Sequence, residues 1–302
     1  MRAPLNISPF STHMLASRLW PRLVLGCLLY TVSAVPTARA QGSPAPHGQN
    51  AANPAALDPE EQEEQMEIEE LEEEVGDRDP TYLRTRVVGR YDRRLFEGSA
   101  ASDRLRLRFL YALGPKQRFA VSFLEPLVRM ETSLGTARGS GDAELQANAN
   151  IVYCERFRAG VGVQATLQTS SDALLGGNTT TLKPSLDFTG VLSSRLELVV
   201  ALYYRRSIHT SRGDPFDQFE PDLIVNARVF NATWFLEWDS YYDFRPGRYA
   251  QTLKPGISRA FGPRRHWVAS AYYAVGLNDY ARRSQYRYNA GIDLTWYPRK
   301  YR

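Results

Sequence analysis

The feature that most constrains the fold is a strict alternation of apolar and polar residues near the end of the chain, from Tyr286 to Tyr297. One face of this run would carry Ile292 and Leu294, and the opposite face Asp293 and Thr295. A period of two is typical of a β-strand, because successive side chains point to opposite faces of a sheet. The run is also about as long as a tilted strand needs to be to cross a bilayer.

The same alternation recurs along residues 80–302 and predicts twelve strands. Short connections alternate with mostly longer ones, as in an outer-membrane barrel with short periplasmic turns and longer outer loops. An even number of strands would place both termini on the periplasmic side. The predicted strands are Tyr82–Tyr91, Asp103–Leu113, Arg118–Met130, Gly141–Tyr153, Phe157–Gln168, Thr181–Leu192, Arg195–His209, Gln218–Phe230, Thr233–Phe244, Tyr249–Phe261, His266–Gly276 and Tyr286–Tyr297.

Aromatic residues on the predicted outward faces cluster at the strand ends. Such belts are expected where amphipathic rings meet lipid headgroups, and nothing in a soluble barrel would sort aromatic residues in this way. The sequence therefore predicts an all-β fold, a transmembrane antiparallel up-and-down β-barrel of about twelve strands. One belt would contain Tyr111, Phe119, Tyr153, Phe157, Trp234, Phe261, Trp267 and Trp296, and the other Tyr204, Tyr242, Phe244, Tyr273, Tyr286 and Tyr288.

Residues 1–40 have the features of a secretory signal peptide. Basic residues precede an apolar run from Leu23 to Val35, and Ala38 to Ala40 form a small-x-small cleavage site. Such a peptide predicts export into a Gram-negative-type envelope. Lipid attachment at Cys27 is the alternative interpretation. Removal of the peptide would leave Cys154 as the single cysteine, which excludes an internal disulfide.

The segment between the signal peptide and the barrel, residues 41–79, has two parts of different composition. Residues 41–57 are rich in Ala, Pro, Gly, Asn and Gln and are predicted to form a flexible spacer. Residues 58–79 contain 13 acidic residues and one arginine. Residues 80–302 hold 32 of the 37 Lys and Arg but 20 of the 33 acidic residues, so the net charge of +4 combines an acidic segment with a basic barrel.

The predicted inward faces are heavily charged. Arginines of the first strand would lie beside arginines of the second, and such a ladder repels itself unless water or carboxylates offset it. Arg–carboxylate pairs could simply fill and rigidify a narrow bore. Alternatively, basic and acidic walls would create a transverse field that selects small polar or anionic solutes. The lumen and selectivity candidates are Arg84, Arg86, Arg90, Arg104, Arg106, Arg108, Asp142, Glu144, Glu237, Asp239, Asp243 and Asp293.

The acidic segment would lie at the periplasmic mouth of this basic barrel after export. One hypothesis is that it docks against or into the wall of Arg84 and Arg104 and gates the pore. The alternative is a solvated tail that helps to keep the chain soluble before insertion.

Several glycine-rich stretches carry a resemblance to a known family. Gly139 to Leu145, followed by Gly160 to Gly162, Gly176 to Asn178 and Leu182 to Pro184, resemble the outer-membrane proteins of the MetA-pathway-of-phenol-degradation family. The resemblance covers residues 139–192. It implies a barrel that moves small, often hydrophobic or aromatic compounds, and it assigns no binding residue.

An enzyme is a further candidate, because His209 and Ser211 resemble the His-x-Ser motif of barrel-borne lipid hydrolases. A serine nucleophile needs a base within hydrogen-bond reach and a carboxylate to orient that base, and Glu220 and Asp222 are nearby in sequence. Arg212 follows where that motif usually has Asn, and the strand parity turns His209 inward. We therefore expect no enzymatic activity.

The sequence predicts no cofactor, no metal and no nucleic-acid partner. The barrel region has only His209 and His266 as histidines and no cluster with the spacing of metal ligands. Its arginines alternate with lipid-facing residues and so belong to a lumen. We expect a passive porin-like channel or transporter for small solutes, whose partners are membrane lipid, the barrel-insertion machinery and the solute. A structural or adhesive outer-membrane barrel is the alternative.

Overall fold

A computed structural model describes residues 71, 74, 76, 78–98, 100–114, 117–154, 156–211, 215, 217–245, 247–262 and 266–298. The predicted signal peptide, the lipid-attachment alternative, the spacer and most of the acidic segment lie outside these residues. The strands are β1 (Arg86–Leu95), β2 (Ala101–Leu113), β3 (Phe119–Thr132), β4 (Gly135–Ser140), β5 (Ala143–Cys154), β6 (Phe157–Leu167), β7 (Thr179–Ser193), β8 (Leu196–Thr210), β9 (Asp217–Val229), β10 (Ala232–Asp243), β11 (Arg248–Phe261), β12 (Trp267–Gly276) and β13 (Tyr288–Trp296), and the helix α1 is Asp279–Ser284.

The strands form one closed antiparallel barrel of twelve members. With β4 left aside, each strand pairs with the strands before and after it in the chain, and β1 closes the ring because it pairs with both β2 and β13. At the closing seam Val87 lies opposite Trp296 and Leu95 opposite Tyr288. The predicted fold class and strand number are therefore confirmed, and the last strand pairs with the first.

The additional strand β4 is not one of the twelve strands of the ring. It pairs with the part of β3 that extends beyond the β3–β5 pairing. β3 pairs with β5 from Phe119 to Leu124 and with β4 from Leu127 to Thr132, so β4 and β5 follow each other along the same edge of β3. The Gly141 N–H donates to the carbonyl of Pro126 where the two pairings meet. The expected loop at residues 131–140 is thus a β-hairpin.

Eleven of the twelve predicted strands agree with the structure within two residues at each end. The first is wrong at both ends, because β1 runs from Arg86 to Leu95, and Tyr82 and Leu83 before it are buried in the barrel mouth. Leu83, predicted to face outward, is buried against Leu110 and Ala120. The chain therefore enters the barrel before the ladder begins.

The barrel is apolar outside and polar inside. On β13 the outward residues Ile292, Leu294 and Trp296 are exposed, whereas Asp293 and Thr295 are buried in the bore. The eight aromatic residues of the first predicted belt are all exposed, by 36 to 60%. In the second belt Tyr204, Tyr242, Phe244 and Tyr273 are exposed and Tyr288 is half-buried, but Tyr286 is buried and its predicted outward position is wrong.

The two ends of the barrel differ. At the turn end, connections such as 155–156, 194–195 and 230–231 are short. At the loop end they include residues 168–178 and 277–287, the second of which contains α1. No helix among the described residues has both the length and the apolar character needed to cross a bilayer.

Candidate functional site: the bore and its mouth

The inward arginines of β1 and β2 are paired with carboxylates. We call them the arginine wall, which consists of Arg90, Arg94, Arg104, Arg106 and Arg108. Arg90 lies beside Asp293 across the closing seam. Arg90 Nε donates to Asp293 Oδ1 at 2.5 Å and Nη2 to Oδ2 at 2.9 Å, which is a two-pronged guanidinium–carboxylate pair. This contact brings two predicted lumen residues together.

A second carboxylate, Asp92, holds three arginines of this wall and was not among the predicted lumen residues. Its Oδ2 lies 3.1 Å from Arg94 Nε and 3.2 Å from Arg104 Nε, and its Oδ1 lies 2.6 Å from Arg106 Nη2. Asp92 is fully buried. The sequence prediction ended the first strand at Tyr91 and treated this residue as part of a loop, although the alternation itself continues through it.

The remaining arginines of the predicted ladder occupy separate positions. Arg108 Nη2 lies 3.9 Å from Glu144 Oε2 of β5. Arg86 is buried and donates from Nη1 to the carbonyl of Tyr82 at 2.6 Å. The guanidinium of Arg84 lies over the Tyr82 ring at 5.2 Å. In the pairing of β1 with β2, Arg90 and Arg106 are the only two arginines that lie directly opposite each other. Val88 lies opposite Arg108, and Asp92 lies opposite Arg104.

The acidic residues of β9 and β10 form a different part of the inner wall. Glu237 accepts a hydrogen bond from Lys254 Nζ, and Glu220 lies 2.5 Å from Lys183 Nζ. Asp239 accepts from Thr252 Oγ1 at 3.4 Å. Asp222 lies directly across the ladder from Asp239. Lysines thus partly offset this acidic wall, as carboxylates partly offset the arginine wall.

Two of the predicted lumen carboxylates accept hydrogen bonds at the loop end of the barrel. Asp142 accepts from the N–H groups of Ser170 at 3.1 Å and Gly177 at 2.6 Å, and so anchors the loop between β6 and β7. Asp243 accepts from Arg245 N at 3.2 Å and from Gln218 Nε2 at 3.1 Å.

The chain that precedes β1 enters the barrel at its turn end. We call the described residues 71, 74, 76 and 78–85 the mouth segment. Asp79 is fully buried, and its Oδ2 accepts from Arg158 Nη2 of β6 at 2.7 Å. The same Arg158 nitrogen lies 3.2 Å from Glu197 Oε2 of β8. The other oxygen of Asp79 accepts from Thr81 N at 2.8 Å and Thr189 Oγ1 at 2.7 Å. Both carboxylate oxygens are therefore satisfied.

Two further charged residues connect the mouth segment to the opposite side of the ring. Glu74 accepts from the N–H of Ala260 at 3.0 Å and from the hydroxyl of Thr233 at 2.5 Å. Arg78 donates to Ser258 Oγ at 2.9 Å and lies 3.5 Å from Asp293. These contacts reach β10, β11 and β13.

Apolar contacts complete the docking of the mouth segment. Tyr82 packs with Val268 and Tyr297, and the Tyr82 and Tyr297 rings meet edge to face at 6.2 Å. Leu83 packs against β2 and β3. The guanidinium of Arg78 lies 3.6 Å from the centre of the Phe235 ring. Residues 78–83 therefore contact strands around most of the turn-end opening.

The hypothesis that the acidic segment docks in the barrel agrees with these contacts for its described residues, but the expected wall is wrong. Asp79 and Glu74 bind β6, β7, β10 and β11, whereas Arg104 pairs with Asp92. The arginines of that wall are paired with carboxylates of the barrel strands, those of Asp92, Glu144 and Asp293. Arg158, which binds Asp79, had no distinguishing signal beyond its inward position on the strand.

The hydrolase motif is not assembled among the described residues. Ser211 Oγ accepts from Gln168 Nε2 and donates to the carbonyl of Asn178 at 3.3 Å, and no hydrogen bond in this part of the chain joins it to His209. His209 is exposed. Over the same residues no group of three or more His, Cys, Asp or Glu is placed to hold a metal ion.

Comparisons with known proteins find similarity in structure and not in sequence. No protein-family model matches the sequence, and no curated protein matches it. The structure is similar to the COG4313 outer membrane channel from Pseudomonas putida F1, with a TM-score of 0.58 and 13% identity over 70% of this chain and 94% of that chain. It is also similar to the NanC porin, with a TM-score of 0.50 and 13% identity over 71% of this chain and 100% of that chain. The fold is therefore that of outer-membrane β-barrels.

Proposed function

We propose that the protein is an outer-membrane channel for small solutes whose turn-end mouth is closed by the mouth segment. The observation that carries the proposal is the bore itself, a closed ring with charged residues on its inner wall and a docked segment at one end. An apolar exterior with aromatic rings near the strand ends supports membrane insertion. The likeness to an outer membrane channel and a porin supports the same function.

The wall chemistry favours solutes that carry polar or charged groups. Arg90 and Arg106 lie on one wall, and Asp222 and Asp239 lie together on another. Opposed basic and acidic walls orient and select solutes through the field between them. The resemblance to the phenol-degradation family adds hydrophobic or aromatic compounds as a candidate class, and an aromatic solute with an ionised group would satisfy both arguments.

The mouth segment supports a gate. Its buried contacts are both polar and apolar and reach strands on different sides of the opening. None of them belongs to the strand ladder, so release of the segment would clear the turn end without unfolding the ring. Membrane lipid and the barrel-insertion machinery are the further proposed partners. Both termini would lie on the periplasmic side, as the even strand number implies.

The test is single-channel recording in planar bilayers with the full chain and with a variant that lacks residues 41–79. We expect the shortened variant to have the higher open probability, because it loses Glu74, Arg78 and Asp79. A variant that lacks only residues 41–57 is the matched control, since it retains every described residue of the mouth segment, and it should behave like the parent.

Two outcomes would count against the proposal in different ways. Equal open probability in all three proteins would exclude the gate. Absence of any ion conductance in all three, with folded barrels, would exclude the channel and favour a structural or adhesive barrel, an alternative that the filled mouth also supports.

A further inference from the structure

Two glycines on the inner face of β6 are flanked by side chains that carry oxygen atoms. On the neighbouring strands β5 and β7, each glycine has one residue directly opposite on either side. These residues are Asn150 and Asp187 beside Gly160, and Asn148 and Ser185 beside Gly162. Because a glycine has no side chain, the space above β6 at these positions is bordered by the side chains of its neighbours.

Oxygen atoms of these neighbours point into that space. From the position that a Cβ atom would take at Gly162, Ser185 Oγ is 2.5 Å away and Asn148 Oδ1 is 3.0 Å away. From the corresponding position at Gly160, Asn150 Oδ1 is 3.1 Å away. Oxygen ligands from two strands therefore face the gap that the glycines leave.

The mouth segment fixes the orientation of both asparagines. Asn148 Nδ2 donates to the carbonyl of Pro80 at 3.1 Å, and Asn150 Nδ2 donates to the carbonyl of Thr81 at 2.8 Å. A carbonyl oxygen accepts hydrogen bonds and donates none, so the amide nitrogen must be the atom that faces the mouth segment. The amide oxygen then faces the glycines.

Asp187 brings a buried negative charge to the same place. It is 1% exposed, and its Oδ2 accepts from Ser185 Oγ at 2.9 Å. Among the residues that the structure describes, no lysine or arginine forms an ion pair with Asp187. Lys183, on the same face of β7, pairs with Glu220. A buried carboxylate is costly unless a positive charge compensates it.

Three oxygen atoms of this group are buried and accept no hydrogen bond from the described part of the chain, namely Oδ1 of Asn148, Asn150 and Asp187. They are closed to solvent, so a ligand must approach them more closely than water does. Ca²⁺ binds oxygen atoms at about 2.3–2.6 Å, whereas a hydrogen bond from water is about 2.7–2.8 Å long. Carboxylate, amide and hydroxyl oxygens are the ligands that hard cations prefer.

We propose that these oxygen atoms bind one small hard cation, Na⁺ or Ca²⁺, with Asp187 as the charged ligand. Asn148, Asn150 and Ser185 would supply the neutral ligands. Because the two asparagines hold the mouth segment through their nitrogen atoms, the bound cation would keep them in the orientation that the docked segment requires. Cation binding does not depend on the channel, but its effect on the gate rests on the proposed function.

The test is the midpoint of urea unfolding of the full chain in detergent micelles. It is measured in choline chloride, after replacement of choline by Na⁺ at constant ionic strength, and after addition of Ca²⁺. A ligand that binds only the folded protein raises the midpoint with its concentration. We expect one of these cations to do so, and the response shows which cation the site takes. Open probability in planar bilayers should fall as the same cation is added.

Asp187→Asn removes the charge of the site and keeps its shape. The variant should bind that cation at least tenfold more weakly, as judged from the concentration dependence of its midpoint. Without either cation it should be at least as stable as the parent, because a buried charge has been removed. Asp279→Asn is the matched control, since it removes the same charge from a side chain that is 81% exposed, and it should respond like the parent.

Gly162→Ala is an independent variant that leaves every ligand in place. Its methyl group would lie between Ser185 and Asn148 and occupy the gap, so the response to the cation should be lost. Gly190→Ala is the control, because a Cβ atom at Gly190 meets no atom within 4 Å. It should retain the response of the parent.

The outcomes separate the cation site from the channel. A parent midpoint that responds to neither cation would overturn the site, as would an equal response in the parent and in Asp187→Asn. A response that requires Asp187, together with an open probability that the cation leaves unchanged, would support the site and overturn its effect on the gate. The same response in a folded barrel without conductance would support the site and overturn the channel.

Discussion

At the scale of single residues, Asp79 determines how the mouth segment is held. Its carboxylate is buried and binds Arg158, Thr81 and Thr189. Arg158 in turn lies against Glu197, and Glu197 accepts from Asn226 Nδ2 at 3.1 Å. A buried ion pair of this kind is costly to break from one side, because the remaining charge is left without compensation.

We predict that Asp79→Asn loosens the mouth segment while the barrel remains folded. The variant removes one charge-assisted hydrogen bond to Arg158, whose loss is worth roughly 1.5–3 kcal/mol, and leaves Glu197 in place. The measurement is open probability in planar bilayers, which should rise. Asp279→Asn is the control, because that side chain lies on α1 and is 81% exposed. Equal behaviour of both variants and the parent would contradict the prediction.

The arginine wall shows what residue patterns can predict and where they stop. The inward position of Arg90, Arg106 and Asp293 follows from period two alone. Their partners depend on register, which is set by the pairing of whole strands. Asp92 was missed because the predicted strand ended at Tyr91, and a single acidic residue among arginines is equally compatible with a loop or a strand.

At the scale of strands, the sequence predicts the central residues of each strand better than the residues at which the strand begins and ends. Period two is strong over ten or more residues, and eleven strands were placed within two residues. Residues 82–85 and Tyr286 were assigned to strands because nothing local distinguishes a strand from an extended segment in the bore. The hairpin of β4 was missed because its residues, Gly135–Ser140, include no large apolar side chain and show no alternation.

Large and small side chains alternate around the inner wall of β10 to β13. Phe235 lies opposite Gly256, Gly256 opposite Tyr272, and Tyr272 opposite Gly291. A methyl group added at Gly291 would collide with the Tyr272 ring, and one at Gly256 with the Phe235 ring. These glycines are therefore required by neighbouring aromatic rings.

We predict that Gly291→Val destabilises the barrel by about 1–3 kcal/mol, because it overpacks the inner wall against Tyr272. The measurement is the midpoint of urea unfolding of the folded protein in lipid or detergent. Gly190→Val is the matched control, since a side chain at Gly190 of β7 would meet no atom within 4 Å. An unchanged midpoint for Gly291→Val would show that the ring can move aside without cost.

At the scale of the whole molecule, the two ends of the barrel define its orientation in a membrane. Cys154 is exposed at the turn end, where β5 meets β6, and Leu134 is 98% exposed at the loop end, between β3 and β4. Short turns on the periplasmic side imply that these two positions lie on opposite sides of the membrane.

We predict that Leu134→Cys, in a Cys154→Ser background, is labelled by a membrane-impermeant maleimide on intact cells. The parent chain, which presents Cys154, should be labelled only after the outer membrane is permeabilised. Labelling after permeabilisation in both proteins is the control for thiol reactivity. The reverse pattern on intact cells would invert the proposed orientation.

The mouth segment is continuous with β1, since residues 78–85 lead directly into Arg86 at the closing seam. A released segment therefore stays tethered within a few residues of its binding site. Such a tether produces an effective concentration in the millimolar range, so individually weak contacts are enough to restore the docked state. Reclosure would need no second molecule, and its rate would be independent of the amount of protein in the membrane.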